Sequence, residues 1–116
     1  MSARNETPER DEIPPGTLYM LILKTLARGG ELHGYEIANS IQAASQEVLQ
    51  VEEGSLYPAL QRMLIKGWVT AEWGVTSGNR RARYYRITKL GRKQLETELS
   101  QFDRVFGAIQ RVLETS

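Results

Sequence analysis

The apolar residues Leu95, Leu99, Phe102, Phe106, Ile109 and Leu113 follow one another at intervals of 4, 3, 4, 3 and 4. That rhythm is the seam of a heptad helix, because an average spacing of about 3.5 residues keeps one face turned toward a partner helix. With Thr88 as N-cap and an end near Glu114, the helix would run about 40 Å at 1.5 Å per residue. The residues before it offer three short helices and a hairpin, too little to cover such a length. Much of the seam therefore calls for a partner from elsewhere. Composition sets a compatible bound, since 116 residues with 41% apolar and 25% charged side chains build one modest core rather than two.

The preceding elements read from N- to C-terminus as follows. Met1 to Glu12 is polar, holds a proline and has too little apolar surface to order itself, so it is expected to be a loose arm. After Pro14-Pro15-Gly16, Thr17 is a suitable N-cap for a first helix whose face is Leu18, Leu21, Ile22 and Leu26, stopped by Gly29-Gly30. A second amphipathic helix is expected from about Leu32 to Ala44, with Ile37, Ala38, Ile41 and Ala44 on one face. A third starts at Gly54-Ser55, carries Leu56, Leu60, Met63 and Leu64 inward, and ends at Gly67. With Ser55 as N-cap, Pro58 falls in the first turn, where its missing N–H has no intrahelical partner. Trp68 to Trp73 and Arg81 to Ile87 are aromatic and β-branched, and Thr76-Ser77-Gly78-Asn79 between them supplies turn chemistry, which predicts a β-hairpin.

Charge is unevenly distributed, although the formal net charge is only +1. Up to Tyr57 there are 4 basic against 9 acidic residues, and after it 11 against 5. Arg80, Arg81, Arg83, Arg86, Lys89, Arg92 and Lys93 fall between Gly78 and Lys93 with no acidic residue among them. Solvated surfaces usually intersperse both signs, so this run points to an anionic partner. Lys89, Arg92 and Lys93 are the weaker candidates, because a helix start does not favour positive charge.

Cysteine is absent, so disulfides and thiolate metal sites are excluded and a reducing, cytoplasmic setting fits. The longest apolar run, Leu18 to Leu23, is too short to span a bilayer. A lone His33, no ligand spacing for a metal, no glycine-rich phosphate loop and no nucleophile motif leave nothing for catalysis. No enzyme, metal or cofactor is expected. His33 can either touch a phosphate or make a hydrogen bond at a helix start, and Glu52 and Glu53 suit a helix N-terminus.

Three helices, an arginine-bearing hairpin and a long helix make the order of a winged helix-turn-helix, whose third helix enters the major groove while the hairpin reaches the flanking backbone or minor groove. With the apolar stripe inward, Ser55, Pro58, Ala59 and Arg62 are expected outward, with Tyr57 near the helix start. Arg62 suits a guanine edge or a phosphate, Ser55 and Tyr57 can donate to either, and Pro58 and Ala59 suit a thymine methyl. Arg80, Arg81 and Arg83 can splay around a phosphate backbone. Of the aromatics Trp68, Trp73, Tyr84 and Tyr85, alternation is expected to put most at the core boundary, with base stacking as the other use.

The segments His33-Gly34-Tyr35-Glu36-Ile37, Gly54-Ser55-Leu56-Tyr57-Pro58-Ala59-Leu60 and Arg81-Ala82-Arg83-Tyr84-Tyr85-Arg86-Ile87-Thr88-Lys89-Leu90-Gly91 resemble, in order and spacing, the signature of the PadR family of bacterial transcriptional regulators. The likeness covers roughly Thr17 to Leu95. It implies a homodimeric repressor that binds a pseudo-palindromic operator in double-stranded DNA and dimerises through its C-terminal helix. It also implies groove contacts from Ser55, Tyr57, Pro58 and Arg62, a backbone contact from Tyr35, and wing contacts from Arg80, Arg81 and Arg83. Small aromatic effectors bind near the dimer interface in this family, which corresponds here to Phe102 and Phe106.

The sequence thus predicts a mostly α protein with a small β-hairpin: an arm over 1–12, a winged helix-turn-helix domain over 13–88 and a dimerisation helix over 89–116. The alternative function is a winged-helix module that binds another protein, its arginines meeting acidic side chains. Salt separates the two, since phosphate contacts weaken steeply as salt rises.

Overall fold

The computed structural model describes residues 11–14 and 16–115. In chain order the elements are β1 (Asp11–Glu12), α1 (Leu18–Gly29), β2 (Leu32–His33), α2 (Gly34–Ala44), β3 (Leu49–Gln50), α3 (Glu53–Ile65), β4 (Val69–Val75), β5 (Arg81–Ile87) and α4 (Lys89–Leu113). The three-stranded sheet runs β2-β5-β4, all antiparallel, and β1 pairs in parallel with β3. Three helices, a sheet whose two long strands form a hairpin wing, and a C-terminal helix make a winged helix-turn-helix, as expected.

The core fills the space between the first three helices and the base of the wing. Ile22, Leu23, Leu26, Ile37, Leu60 and Met63 are fully buried, and Val69, Tyr85 and Ile87 close it from the sheet. The helix ends explain the boundaries. Gly67, at φ 79°, ends α3: its N–H bonds to the Leu64 carbonyl and that of Trp68 to the Met63 carbonyl, the paired bonds of a glycine-terminated helix. Thr88 caps α4, its hydroxyl accepting from the Gly91 N–H at 3.0 Å.

Several local expectations are corrected. Residues 1–10 of the predicted arm lie outside the described residues, whereas Asp11 and Glu12 pair with Leu49 and Gln50. Thr17 precedes α1 but makes no cap bond; its hydroxyl donates to the Pro14 carbonyl at 2.8 Å. The second helix begins at Gly34, because Leu32 and His33 are drawn into the sheet opposite Tyr85 and Tyr84. The third begins at Glu53, so Pro58 sits in its second turn and the Gly54 carbonyl loses its helical donor. Gly54 is exposed, which leaves that carbonyl to water. Ala59, expected outward, is 1% exposed. Leu56, Ala59, Leu60 and Met63 hold the i, i+3, i+4, i+7 positions of the buried stripe, and Leu64 lies at its margin.

The long helix divides in two. Gly91 and Leu95 are buried against the domain, so Leu95, assigned to the seam, belongs to the chain's own core. From Leu99 onward the apolar side is open: Leu99, Phe102, Val105, Phe106, Ile109, Val112 and Leu113 are all exposed. The radius of gyration of 16.3 Å exceeds the roughly 13 Å expected for a compact chain of this length, because α4 extends past the body.

Candidate nucleic-acid interface

The wing tip is tight. The Thr76 N–H donates to the Arg80 carbonyl at 2.8 Å, and the Thr76 hydroxyl accepts from the Arg80 N–H at 3.2 Å. Asn79 takes the left-handed conformation, φ 63°, which asparagine tolerates better than most residues. This turn places Arg80 and Arg81 at the edge of a cleft of about 570 Å³ lined by His33, Tyr35, Tyr57, Arg81, Arg83 and Tyr85, among others.

Each wall of the cleft has a local cause. His33 caps α2: its Nδ1 accepts from the Glu36 N–H at 3.4 Å, and the Glu36 carboxylate accepts from the His33 N–H at 3.1 Å. Of the two uses open to His33, the helix-start hydrogen bond is therefore present. The cap turns Tyr35 outward, 68% exposed. Tyr57 comes in from α3 and lies directly over Gly34, where an added Cβ would meet its hydroxyl oxygen at 2.6 Å. Arg83 and Tyr57 both act on Tyr85, whose phenol is pushed above its ordinary pKa of 10.0 mainly by burial; the Arg83 guanidinium opposes the rise and Tyr57 adds to it.

Arg81 and Arg83 lie over the ring of Trp73, their guanidinium carbons 4.7 and 5.8 Å from its centroid. Among the described residues no carboxylate pairs with Arg80, Arg81 or Arg83. Arg86, on the other wing face, does pair, with Glu31 at 3.4 Å.

The expected site residues fall into two groups. Tyr35, Tyr57, Arg80, Arg81 and Arg83 share the wing cleft. Ser55, Pro58 and Arg62 line a separate hollow of about 380 Å³ with Leu18, Tyr19 and Glu98. There the Arg62 Nε donates to the Tyr19 hydroxyl at 2.8 Å, and Tyr19 packs edge-on against Trp68. Two residues escaped sequence reasoning. Gly34 is the seat of Tyr57, a contact between distant segments without a local signal. Trp73, expected among the core-boundary aromatics, is 61% exposed; cross-strand pairs counted outward from Val69 put it beyond the helices.

The model of the PadR-like family of transcriptional regulators matches residues 22–97. The chain belongs to this family. The PadR-like match runs from within α1 to the first turns of α4 and stops short of Leu99, so the open apolar face lies beyond it. An uncharacterized protein of Lysinibacillus sphaericus is 30% identical over 105 residues, 90% of this chain and 95% of that protein. Solved structures agree. A transcriptional regulator from Clostridium thermocellum superimposes with a TM-score of 0.75 at 28% identity, covering 83% of this chain and 92% of that one. A PadR-like regulator from Bacillus cereus gives 0.72 at 28% identity, with 87% and 95% covered. One from Eggerthella lenta gives 0.72 at 29%, with 87% and 85% covered. These neighbours are transcriptional regulators, and this chain has their fold. No described helix is long and apolar enough to cross a membrane.

Proposed function

We propose that this PadR-like chain is a sequence-specific repressor that binds a pseudo-palindromic operator as a homodimer. The observation that carries the reading is the wing cleft, which Arg80, Arg81 and Arg83 line together with Tyr35 and Tyr57, without a described carboxylate to neutralise them. Unpaired guanidiniums beside neutral donors suit a phosphate backbone. Ser55, Pro58 and Arg62 on the exposed side of α3 supply the groove-facing set, with Arg62 steered by Tyr19. Residues 13–88 act as the reading unit and 89–116 as the dimerisation helix.

The second copy covers the face that one copy leaves open. Phe102 and Phe106 stack at 5.4 Å with their planes 10° apart, and Leu99, Ile109 and Leu113 continue the row. A monomer with such a contiguous apolar face would associate, and pairing two equal faces gives the two-fold symmetry that a palindromic site requires. The Phe102–Phe106 pair is also where a small aromatic effector would stack.

The test is selection of bound sequences from random duplexes, followed by affinity measurements across salt concentrations. An enriched inverted repeat with half-sites about ten base pairs apart and a steep salt slope is expected. A pool without enrichment and a shallow slope would overturn the reading in favour of a protein-binding module.

A further inference from the structure

The wing has two faces, and the strand register decides what each carries. Val69 and Ile87, Ala71 and Tyr85, Trp73 and Arg83, Val75 and Arg81 are direct cross-strand partners, so these side chains share one face. Near the helices that face is core, with Val69, Tyr85 and Ile87 buried. Farther along the strands it leaves the body of the protein, and there Trp73 stands, 61% exposed.

An indole in that position supports no core. What it does touch is charge: the guanidinium carbons of Arg81 and Arg83 lie 4.7 and 5.8 Å from its ring centroid. Two guanidiniums on the same face of one strand repel each other, and no described carboxylate offsets them. The electron-rich ring face beside both does. A guanidinium held over a ring keeps its N–H donors in its own plane, free to point past the ring edge. A free arginine must surrender its rotamer freedom when it meets a phosphate, whereas one already resting on a ring has less to lose.

We propose that Trp73 is a positioning residue for operator binding: its indole holds Arg81 and Arg83 side by side in the wing cleft, with their N–H edges presented to neighbouring phosphates. This rests on the DNA-binding reading above. Its role is to make the two arginines act together, and it contributes through them rather than by touching DNA itself.

The test uses the full chain and its selected operator, with Trp73→Ala, Trp73→Phe and the double variant Arg81→Ala/Arg83→Ala compared across salt concentrations. Trp73→Ala is expected to weaken binding about tenfold and to lower the salt slope by about 1 to 2, the share of the released phosphate contacts. Trp73→Phe, which keeps a ring face, should stay within about twofold of wild type. Melting temperatures should be unchanged, and Trp73→Ala should add nothing once both arginines are gone. If alanine lowers the melting temperature, Trp73→Leu retains apolar bulk without the ring and is read in the same way. Wild-type affinity and slope in Trp73→Ala, with binding lost in the arginine double variant, would overturn the role of Trp73 and leave the DNA reading standing. Lost affinity at unchanged slope would also overturn it, by showing that the indole contacts DNA directly. An arginine double variant that binds like wild type would overturn the wing as a DNA contact and the proposal with it.

Discussion

Gly34→Ala should separate folding from DNA binding. Gly34 opens α2 with a negative φ, so its backbone accepts alanine without strain. The obstacle is Tyr57, because the new Cβ would lie 2.6, 2.8 and 2.9 Å from its Oη, Cε1 and Cζ atoms. Ordinary carbon contacts are about 3.5 to 4.0 Å, so the ring must retreat by roughly 1 Å. Tyr57 is 46% exposed and no described residue hydrogen-bonds its hydroxyl, so retreat costs about 0.5 to 1.5 kcal/mol in side-chain strain. Alanine's helix preference offsets up to about 1 kcal/mol of this. Stability should therefore change by about 1 kcal/mol or less, a melting shift within roughly 6 °C at fixed protein concentration. Operator binding should fall by about 5- to 150-fold, the loss of one positioned contact worth about 1 to 3 kcal/mol. The salt slope should hold, because the displaced group is neutral. Calorimetry and fluorescence anisotropy on an operator duplex check both halves. A Gly34→Ala protein that binds within twofold of wild type would show that the seating of Tyr57 is irrelevant; one that unfolds would show that Gly34 supports the core instead.

Phe102→Asp and Phe106→Asp should each raise the dimer dissociation constant by at least about 100-fold, since the charge is buried unpaired at the seam, and abolish operator binding; light scattering with a gel shift decides, and a dimeric, fully binding variant would refute the seam. Gly91→Ala should cost about 3 kcal/mol and lower the melting temperature by roughly 10 to 20 °C. The added Cβ collides with the Trp68 carbonyl oxygen, and the two segments cannot part while the Thr88 N–H donates to that carbonyl at 3.0 Å. Tyr85→Phe tests the buried phenol. Because its pKa is raised in the folded state, its contribution is whole below about pH 10 and is lost as pH rises through the folded value. Wild-type stability should therefore fall more steeply than that of Tyr85→Phe in alkaline denaturation series, and identical slopes would refute the burial argument.

The elements that depend on local spacing were legible. Leu56, Leu60 and Met63 mark α3, Gly67 its end, Thr88 the start of α4, and the turn after Val75 the wing, because periodicity, capping and turn chemistry act over a few neighbours. The arginine-rich wing and the apolar rhythm beyond Leu95 were legible for the same reason, since charge runs and heptads are written along the chain. Errors arose where a distant segment competed. Leu32 suits the first turn of a helix, but the free edge of β5 offers Leu32 and His33 backbone partners, and His33 is left as the N-cap of α2. Leu95 fits the heptad, yet α4 lies against α1 there and the chain buries it for itself. Ala59 is too small to announce a core position until a neighbouring element closes over it.

The amino-acid order thus determined the helices, the wing, its charge and the apolar row that one copy leaves open, all of them near-neighbour properties. Only the tertiary structure decided that Tyr57 sits on Gly34 and that Arg62 leans on Tyr19. Those contacts join residues far apart in the chain, and it is packing, which no local preference encodes, that brings them within reach.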